Sequence, residues 1–182
     1  LTALRSNALA ALAHPEQDAW MLWHFGSFAR KDQVFIAEMG ARHVGDIKEL
    51  VELVHPSMGL ITSVGPQHLD TFGTIERVRD TKYELIDGLP KDGTAIFARD
   101  GAICEELYAR CPLEHKYMPG MLVDAKEIAS GPWGTRFTLV DTRTGEQASC
   151  QTRLLGEHSI SNLLLCCTAA RALGMTLEEI AL

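Results

Sequence analysis

The chain has 182 residues and a formal net charge of −7, with 46% hydrophobic and 23% charged residues. These values are typical of one folded domain with a substantial core and room for a small additional segment. The sequence contains no cluster of Lys and Arg that could neutralise the phosphates of a nucleic acid, so a nucleic-acid-binding surface is disfavoured. No run of about 18 apolar residues is present, so the sequence predicts no membrane span.

The five cysteines are odd in number and lack the spacing of zinc ligands. Cys166 and Cys167 are adjacent in an apolar run with helical character, where cysteine packs as a small hydrophobic residue. We therefore expect free thiols in a reducing, cytoplasmic compartment. The first residue is Leu1 and not Met, so we expect a piece of a longer protein.

The N-terminal third of the chain predicts a helical start followed by a buried strand. Residues 1–13 are rich in Ala and Leu and favour a helix, and we expect residues 1–33 to be mostly helical. Val34–Ala37 is a short apolar run typical of a strand that is buried on both faces. Apolar residues then recur with helical spacing until Pro56 ends the helix.

The middle of the chain repeats this alternation. A second apolar strand, GLITSV, ends at residue 64, and Thr74 can cap a helix that runs to about Leu89. A third strand, TAIFA, follows. Strands and helices that alternate over short connections predict an α/β fold with a mainly parallel sheet.

The pattern changes after Lys116. Short strand-like pieces separated by Gly-containing turns predict a small antiparallel patch attached to the α/β core. Residues 161–173 are apolar on most faces and predict a buried helix.

Polar residues follow each predicted strand of the sheet. Glu38 follows the first, His68 and Asp70 follow the second, and Asp100 follows the third. Each residue alone is more often a turn residue or a helix cap. Ligands bind outside the carboxyl ends of parallel strands, so the occurrence of several polar residues there favours a ligand site. The roles of Asp70 and Asp100 stay open.

Lys82 lies in the middle of an apolar helical stripe. On a helical wheel the stripe contains Ile75, Val78, Leu85, Ile86 and Leu89. A lysine in this position must extend to solvent, pair with a carboxylate or lose its charge, because burying an unpaired ammonium is prohibitive. The residue pattern alone leaves these three outcomes open.

Glu38 and His68 together suggest a site for a divalent metal. Mg²⁺ prefers oxygen ligands and retains waters, so one Glu and one His would form a loose site that needs phosphate oxygens from a substrate. Zinc is disfavoured because no third His or Cys stands at ligand spacing. The sequence contains no GxxxxGK[ST] motif, so these residues do not predict a complete ATP site.

Several motifs resemble the central domain of the Mur ligases. They are EMGA, GPQHL, TKYEL and GEHSISN, in this order, and the resemblance extends over residues 34–182. It implies a three-layer α/β fold of the P-loop or Rossmann-like kind, with helices on both faces of the sheet and ATP-dependent amide formation through an acyl phosphate. The chain most resembles members that add D-alanyl-D-alanine to UDP-N-acetylmuramoyl-tripeptide in peptidoglycan synthesis, so both compounds are implied partners.

The resemblance also implies roles for individual residues. Glu38 and His68 would be Mg²⁺ ligands, and Lys82 would be the lysine that family members carry as a carbamate. Asn162 would lie near the adenine of ATP, with His158 beside it in the same motif.

The chain also departs from the family pattern. A Walker A loop is absent before Glu38, Ser159 replaces an Asn, and Ala98 stands where many members have Asn. The family's C-terminal domain would begin beyond residue 182, so we expect a central domain that does not catalyse the full reaction alone. The alternatives are a related ligase acting in folylpolyglutamate synthesis, cyanophycin synthesis or lipid II amidation, or a non-catalytic module that retains the fold.

Overall fold

A computed structural model describes residues 7–10, 34–66, 69–154 and 156–181. The side chains of residues 7–10, 157 and 158 are outside this description. The chain divides into two compact units. The first unit comprises Leu1–Ala95 with Cys111–His115, and the second comprises Ile96–Arg110 with Lys116–Leu182.

A five-stranded sheet confirms the predicted α/β fold. Its strands are β1 (Asn7–Ala10), β2 (Val34–Ala37), β3 (Met58–Ile61), β4 (Thr94–Phe97) and β5 (His115–Tyr117). Their order is β2-β1-β3-β4-β5, and β1 pairs in parallel with both β2 and β3. All four residues of β3 are buried, as a strand covered on both faces requires. The prediction that β2 is buried on both faces is wrong, because β2 lies at the end of the strand order and its Ile36 is 62% exposed.

Strand β1 corrects the N-terminal prediction. A helix was expected over residues 1–13, but Asn7–Ala10 forms a strand between β2 and β3. Ala and Leu are strong helix formers, but helix propensity is a weak determinant of structure, and the hydrogen bonds that four residues gain between two parallel strands override it. The remaining part of the helical prediction for residues 1–33 lies outside the described residues.

The helices of the α/β part are α1 (Asp46–Val54), α2 (Leu69–Phe72), α3 (Ile75–Asp87) and α4 (Ala102–Arg110). The Thr74 hydroxyl accepts a hydrogen bond from the Arg77 amide at 3.3 Å and caps α3 as predicted. Gly59 allows α3 to lie close against β3, because a Cβ there would be 3.1 Å from the Leu85 side chain. α3 is therefore packed tightly on the strand.

The second unit contains the predicted antiparallel sheet. Its strands β6 (Val123–Gly131), β7 (Gly134–Asp141) and β8 (Gln147–Thr152) pair in the order β6-β7-β8. Two helices follow, α5 (Glu157–Ala172) and α6 (Leu177–Ala181). Sheet and helices share one core, formed by Val123, Phe137, Leu139, Cys150, Ile160, Cys167 and Leu177.

The five cysteines are free thiols, as expected from their spacing. Cys166 is exposed and the other four are buried. Burial raises the pKa of the Cys167 thiol to about 12, and the nearby Cys150 adds to this effect. Cys167 therefore stays protonated and packs as a hydrophobic residue.

A buried ion pair joins β7 to α5. Asp141 is 3% exposed, and its Oδ2 accepts hydrogen bonds from Arg171 at 2.8 and 2.9 Å. Its Oδ1 accepts from the backbone amides of Arg143 and Thr144 at 2.9 and 2.8 Å. Both carboxylate oxygens are thus satisfied, as a buried charge requires.

Candidate functional site

The candidate site begins at the carboxyl ends of the parallel strands β2 and β3. Because both strands run parallel to β1, these ends lie on the same edge of the sheet. Glu38 directly follows β2 and is exposed, whereas its neighbours Ala37 and Met39 are buried. The two buried neighbours anchor the backbone and leave the Glu38 carboxylate facing solvent.

Lys82 contacts the loop that follows β3. Its side chain is half-buried, and its Nζ donates a hydrogen bond to the carbonyl oxygen of Ser63 at 2.8 Å. Since Ser63 lies just beyond β3, this bond attaches α3 to the same sheet edge that carries Glu38. The sequence left the environment of Lys82 open, and the structure shows that its ammonium group forms a hydrogen bond with this loop.

Glu84 connects α3 to the loop after β2. Its Oε1 accepts a hydrogen bond from the Gly45 amide at 2.9 Å, and its Oε2 accepts from the Lys48 amide at 3.0 Å. Gly45 is the N-cap residue of α1 and has no side chain with which to cap the helix. The carboxylate of Glu84 thus supplies a cap from another helix and also meets the positive end of the α1 dipole.

Sequence reasoning did not identify Glu84. The available signal was the missing cap, because the residue before α1 is a glycine and not Ser, Thr, Asp or Asn. The free amides at a helix start without a local side-chain cap bind water, a ligand or a group from elsewhere in the chain. The sequence does not indicate which residue provides that group.

The loop between β2 and α1 is also closed locally. Asp46 Oδ2 accepts hydrogen bonds from the amides of Arg42 and His43, both at 2.8 Å. Gly45 adopts φ +99°, a left-handed conformation that favours glycine. Two carboxylates, a local one and that of Glu84, therefore fix the backbone of this loop.

The other predicted site residues are placed only in part. His68 lies outside the described residues. Asn162 is exposed on α5, and His158 belongs to the same helix but its side chain is not described. Asp70 is exposed in α2, and Asp100 is exposed after β4. The roles predicted for these residues stay predictions.

The first unit offers an oxygen ligand of the kind that Mg²⁺ prefers. In the described part of the chain no three His, Cys, Asp or Glu residues form a metal-binding group. Mg²⁺ does not need such a group, because it is commonly held by one or two carboxylates together with waters and substrate phosphates. The exposed Glu38 carboxylate is a suitable ligand of this type.

The fold and the sheet edge together define an α/β domain with polar side chains at the carboxyl ends of its parallel strands. The family model described as the Mur ligase middle domain matches residues 23–170. The chain belongs to this family, which confirms the resemblance found in the motifs.

Two curated relatives carry the name UDP-N-acetylmuramoyl-tripeptide–D-alanyl-D-alanine ligase. The Haemophilus influenzae protein is 31% identical over 152 residues, which cover 82% of this chain and 33% of the relative. The Mycobacterium tuberculosis H37Rv protein is 30% identical over 178 residues, which cover 93% of this chain and 32% of the relative. The chain thus spans about a third of the length of these relatives.

Solved structures confirm the fold. A crystal structure of MurF from Acinetobacter baumannii matches with a TM-score of 0.78 at 23% identity, covering 99% of this chain and 45% of that one. MurF from Thermotoga maritima in complex with ADP matches with a TM-score of 0.71 at 16% identity, covering 97% and 48%. Among the residues described here, no helix has the length and apolar character that a membrane crossing requires.

Proposed function

We propose that this chain is the central ATP- and Mg²⁺-binding part of a cytoplasmic ligase. The ligase adds D-alanyl-D-alanine to UDP-N-acetylmuramoyl-tripeptide in peptidoglycan synthesis. The supporting observation is the bond from Lys82 Nζ to the Ser63 carbonyl oxygen, since it connects the TKYEL helix to the sheet edge that carries Glu38. The two relatives described above carry the name of this activity.

The proposed reaction has two steps. A carboxylate oxygen of the tripeptide attacks the γ-phosphorus of ATP, and the bond to ADP breaks to give an acyl phosphate. The amine of D-alanyl-D-alanine then attacks the acyl carbon, phosphate leaves, the nitrogen loses a proton and an amide forms. When bound, Mg²⁺ neutralises charge on the phosphates and so lowers the barrier to phosphoryl transfer.

The residues of the chain have separate proposed roles. Glu38 and His68 hold Mg²⁺, and Asn162 and His158 lie on the adenine side of ATP. Lys82 carries a carbamate, formed when its amine adds CO₂ and releases a proton. A carbamate keeps one N–H, so Lys82 can still donate to the Ser63 carbonyl oxygen while presenting an anionic group to the site.

The test is amide formation by the full-length protein with ATP, Mg²⁺ and both proposed substrates. We expect Lys82→Ala to lower kcat at least about 100-fold, since the site loses its proposed anionic group. Lys91→Ala is the matched control, because Lys91 is exposed in the turn after α3. Equal rates for the Lys82→Ala variant and the wild type would contradict the assignment of this site.

Substrate choice needs a separate measurement. The related ligase activities are tested by offering a folate, a cyanophycin primer or lipid II in place of UDP-N-acetylmuramoyl-tripeptide. We expect product only with the muramoyl-tripeptide. Suppose that the wild type forms product with one of the other acceptors and the Lys82→Ala variant does not. The proposed ligase chemistry would then stand, and the proposed substrate would be wrong.

Two replacements inside the chain, Ser159 for an Asn and Ala98 where many members have Asn, favour a second candidate, a non-catalytic module that retains the fold. Each replacement removes an amide group that could form hydrogen bonds with a nucleotide. The two candidates differ in nucleotide binding, which calorimetry with ATP and Mg²⁺ measures directly on the full-length protein. Absence of binding would favour the non-catalytic module.

A further inference from the structure

We propose that Glu84 is a positioning residue that fixes Lys82 relative to Glu38. This inference rests on the proposed function, because that function places Mg²⁺ and the phosphates of ATP beside these two side chains. Glu84 itself does not need to touch either of them. Its contribution is to hold α3 in register against the loop that begins at Glu38.

Helix α3 contacts both loops at the ligand edge of the sheet. Two residues apart on this helix, Lys82 donates to Ser63 beyond β3 and Glu84 accepts from Gly45 and Lys48 beyond β2. Successive helix residues are about 100° apart, so positions 82 and 84 extend from opposite sides of α3. One rigid helix therefore connects the two loops.

A second contact fixes α3 along α1. Gly88 lies one turn after Glu84 and faces Val51, which is 5% exposed. A Cβ at Gly88 would be closer to the Val51 Cγ1 than van der Waals contact allows. Glu84 holds the N-terminus of α1 while Gly88 packs against its middle, so α3 cannot slide or rotate without breaking one of these contacts.

The carboxylate is well suited to this role. Each of its oxygens accepts one backbone amide, and both amides belong to the first turn or cap of α1, where no residue of the helix can accept them. Glutamine keeps one acceptor oxygen but turns an NH₂ group toward the other amide. Glu84→Gln therefore loses one bond and the charge but preserves the shape of the side chain.

The test measures metal binding separately from stability. Mn²⁺ accepts the same oxygen ligands as Mg²⁺ and is detected by electron paramagnetic resonance. We expect Glu84→Gln in the full-length protein to weaken Mn²⁺ binding in the presence of ADP about 10- to 100-fold, the range typical of residues that orient metal ligands. ADP affinity without metal should stay within about twofold of the wild type.

Glu49→Gln is the matched control. Glu49 is exposed in the first turn of α1, so this substitution removes the same charge near the same helix end without removing the contact to α3. Glu84→Asp serves as a second variant, since it keeps the charge on a shorter side chain and is expected to have an intermediate Mn²⁺ affinity. If Glu84→Gln does not fold, the Mn²⁺ affinity of Glu84→Asp tests the positioning role.

The outcomes separate the two proposals. If Glu38→Gln leaves Mn²⁺ binding unchanged, the proposed metal site is wrong. If Glu38→Gln weakens binding but the Glu84 variants bind Mn²⁺ like Glu49→Gln, the metal site stands and the positioning role is overturned. A lower melting temperature with unchanged Mn²⁺ affinity of the folded protein would also overturn it, because the role of Glu84 would then be structural only.

Discussion

Charged side chains from the two units illustrate two different uses of charge. In the first unit, Lys82 donates to the loop after β3, and Glu84 accepts from backbone amides at the start of α1. In the second unit, Asp141 and Arg171 are directed inward and bind each other beside an apolar core. The first arrangement orients loops, and the second connects a strand to a helix.

This difference predicts where substitutions will act. Half-exposed bonds to loop backbone add only modestly to stability, because water competes for the same groups. Asp141 is buried and has little access to water, so without its cation only two backbone amides compensate its charge. We therefore expect polar substitutions to reduce ligand binding in the first unit and stability in the second.

The largest expected effect is that of Arg171→Met. It removes both hydrogen bonds to Asp141 Oδ2 and leaves a buried carboxylate without its cation. Breaking such a pair typically costs about 3–5 kcal/mol in the free energy of unfolding. Chemical denaturation monitored by circular dichroism measures this loss.

Arg143→Met is the matched control for that substitution. Arg143 contacts Asp141 through its backbone amide, which the substitution keeps, and the residue is exposed. We expect a change within about 0.5 kcal/mol, as for most surface substitutions. Similar losses in the two variants would show that the ion pair is not what stabilises the second unit.

A pair of glycine substitutions compares the packing of the two units. At Gly134, φ is +107° and an added Cβ would overlap the backbone oxygen of Thr152, which cannot rotate away. We expect Gly134→Ala to lower the free energy of unfolding by about 2–4 kcal/mol, through backbone strain and overpacking together. At Gly88 the obstacle is the side chain of Val51, which can adjust, so we expect about 1–2 kcal/mol.

Gly145→Ala provides the reference for backbone strain alone. Its φ is +76° and an added Cβ would meet no atom within 4 Å. We expect a loss of about 1–2 kcal/mol from the left-handed conformation. If Gly134→Ala were no more destabilising than Gly145→Ala in the same denaturation experiment, the close approach to Thr152 would be unimportant.

The parts of the fold that the sequence predicted are those with strong local patterns. β2, β3 and β4 are short apolar runs, and α3 begins at the Thr74 cap that its sequence indicates. β1 was missed because Asn7–Ala10 has no strand pattern of its own and is held by its two neighbours. A local signal cannot report on pairing that depends on distant residues.

The site shows the same limit. The apolar stripe of α3 left three outcomes open for Lys82, and none of them identified the Ser63 carbonyl oxygen as its partner. Glu84 was missed because its two bonds span 39 and 36 residues along the chain. Residue types can therefore suggest a site, whereas the contacts that orient it depend on tertiary structure.

The smallest expected effect concerns acid stability, which should depend on the ion pair of the second unit. The Thr144 amide, followed by the Arg171 guanidinium and the Arg143 amide, lowers the pKa of Asp141 from 3.8 to about 2, although burial acts in the opposite direction. Between these two values the unfolded chain binds more protons than the folded one, so stability rises with pH. The contribution is complete above about pH 4 and is lost as the pH falls toward 2.

A single carboxylate changes the free energy of unfolding by at most about 1.4 kcal/mol per pH unit. Asp141→Asn removes this titration, so we expect the variant to lose less stability than the wild type when the pH is lowered from 4 to 2.5. Arg143→Met is the control, because it keeps the backbone amide bond to Asp141 Oδ1 and removes no carboxylate. If Asp141→Asn and the wild type lost stability equally in urea titrations at these two pH values, the acid sensitivity would arise from carboxylates other than the one in the buried pair.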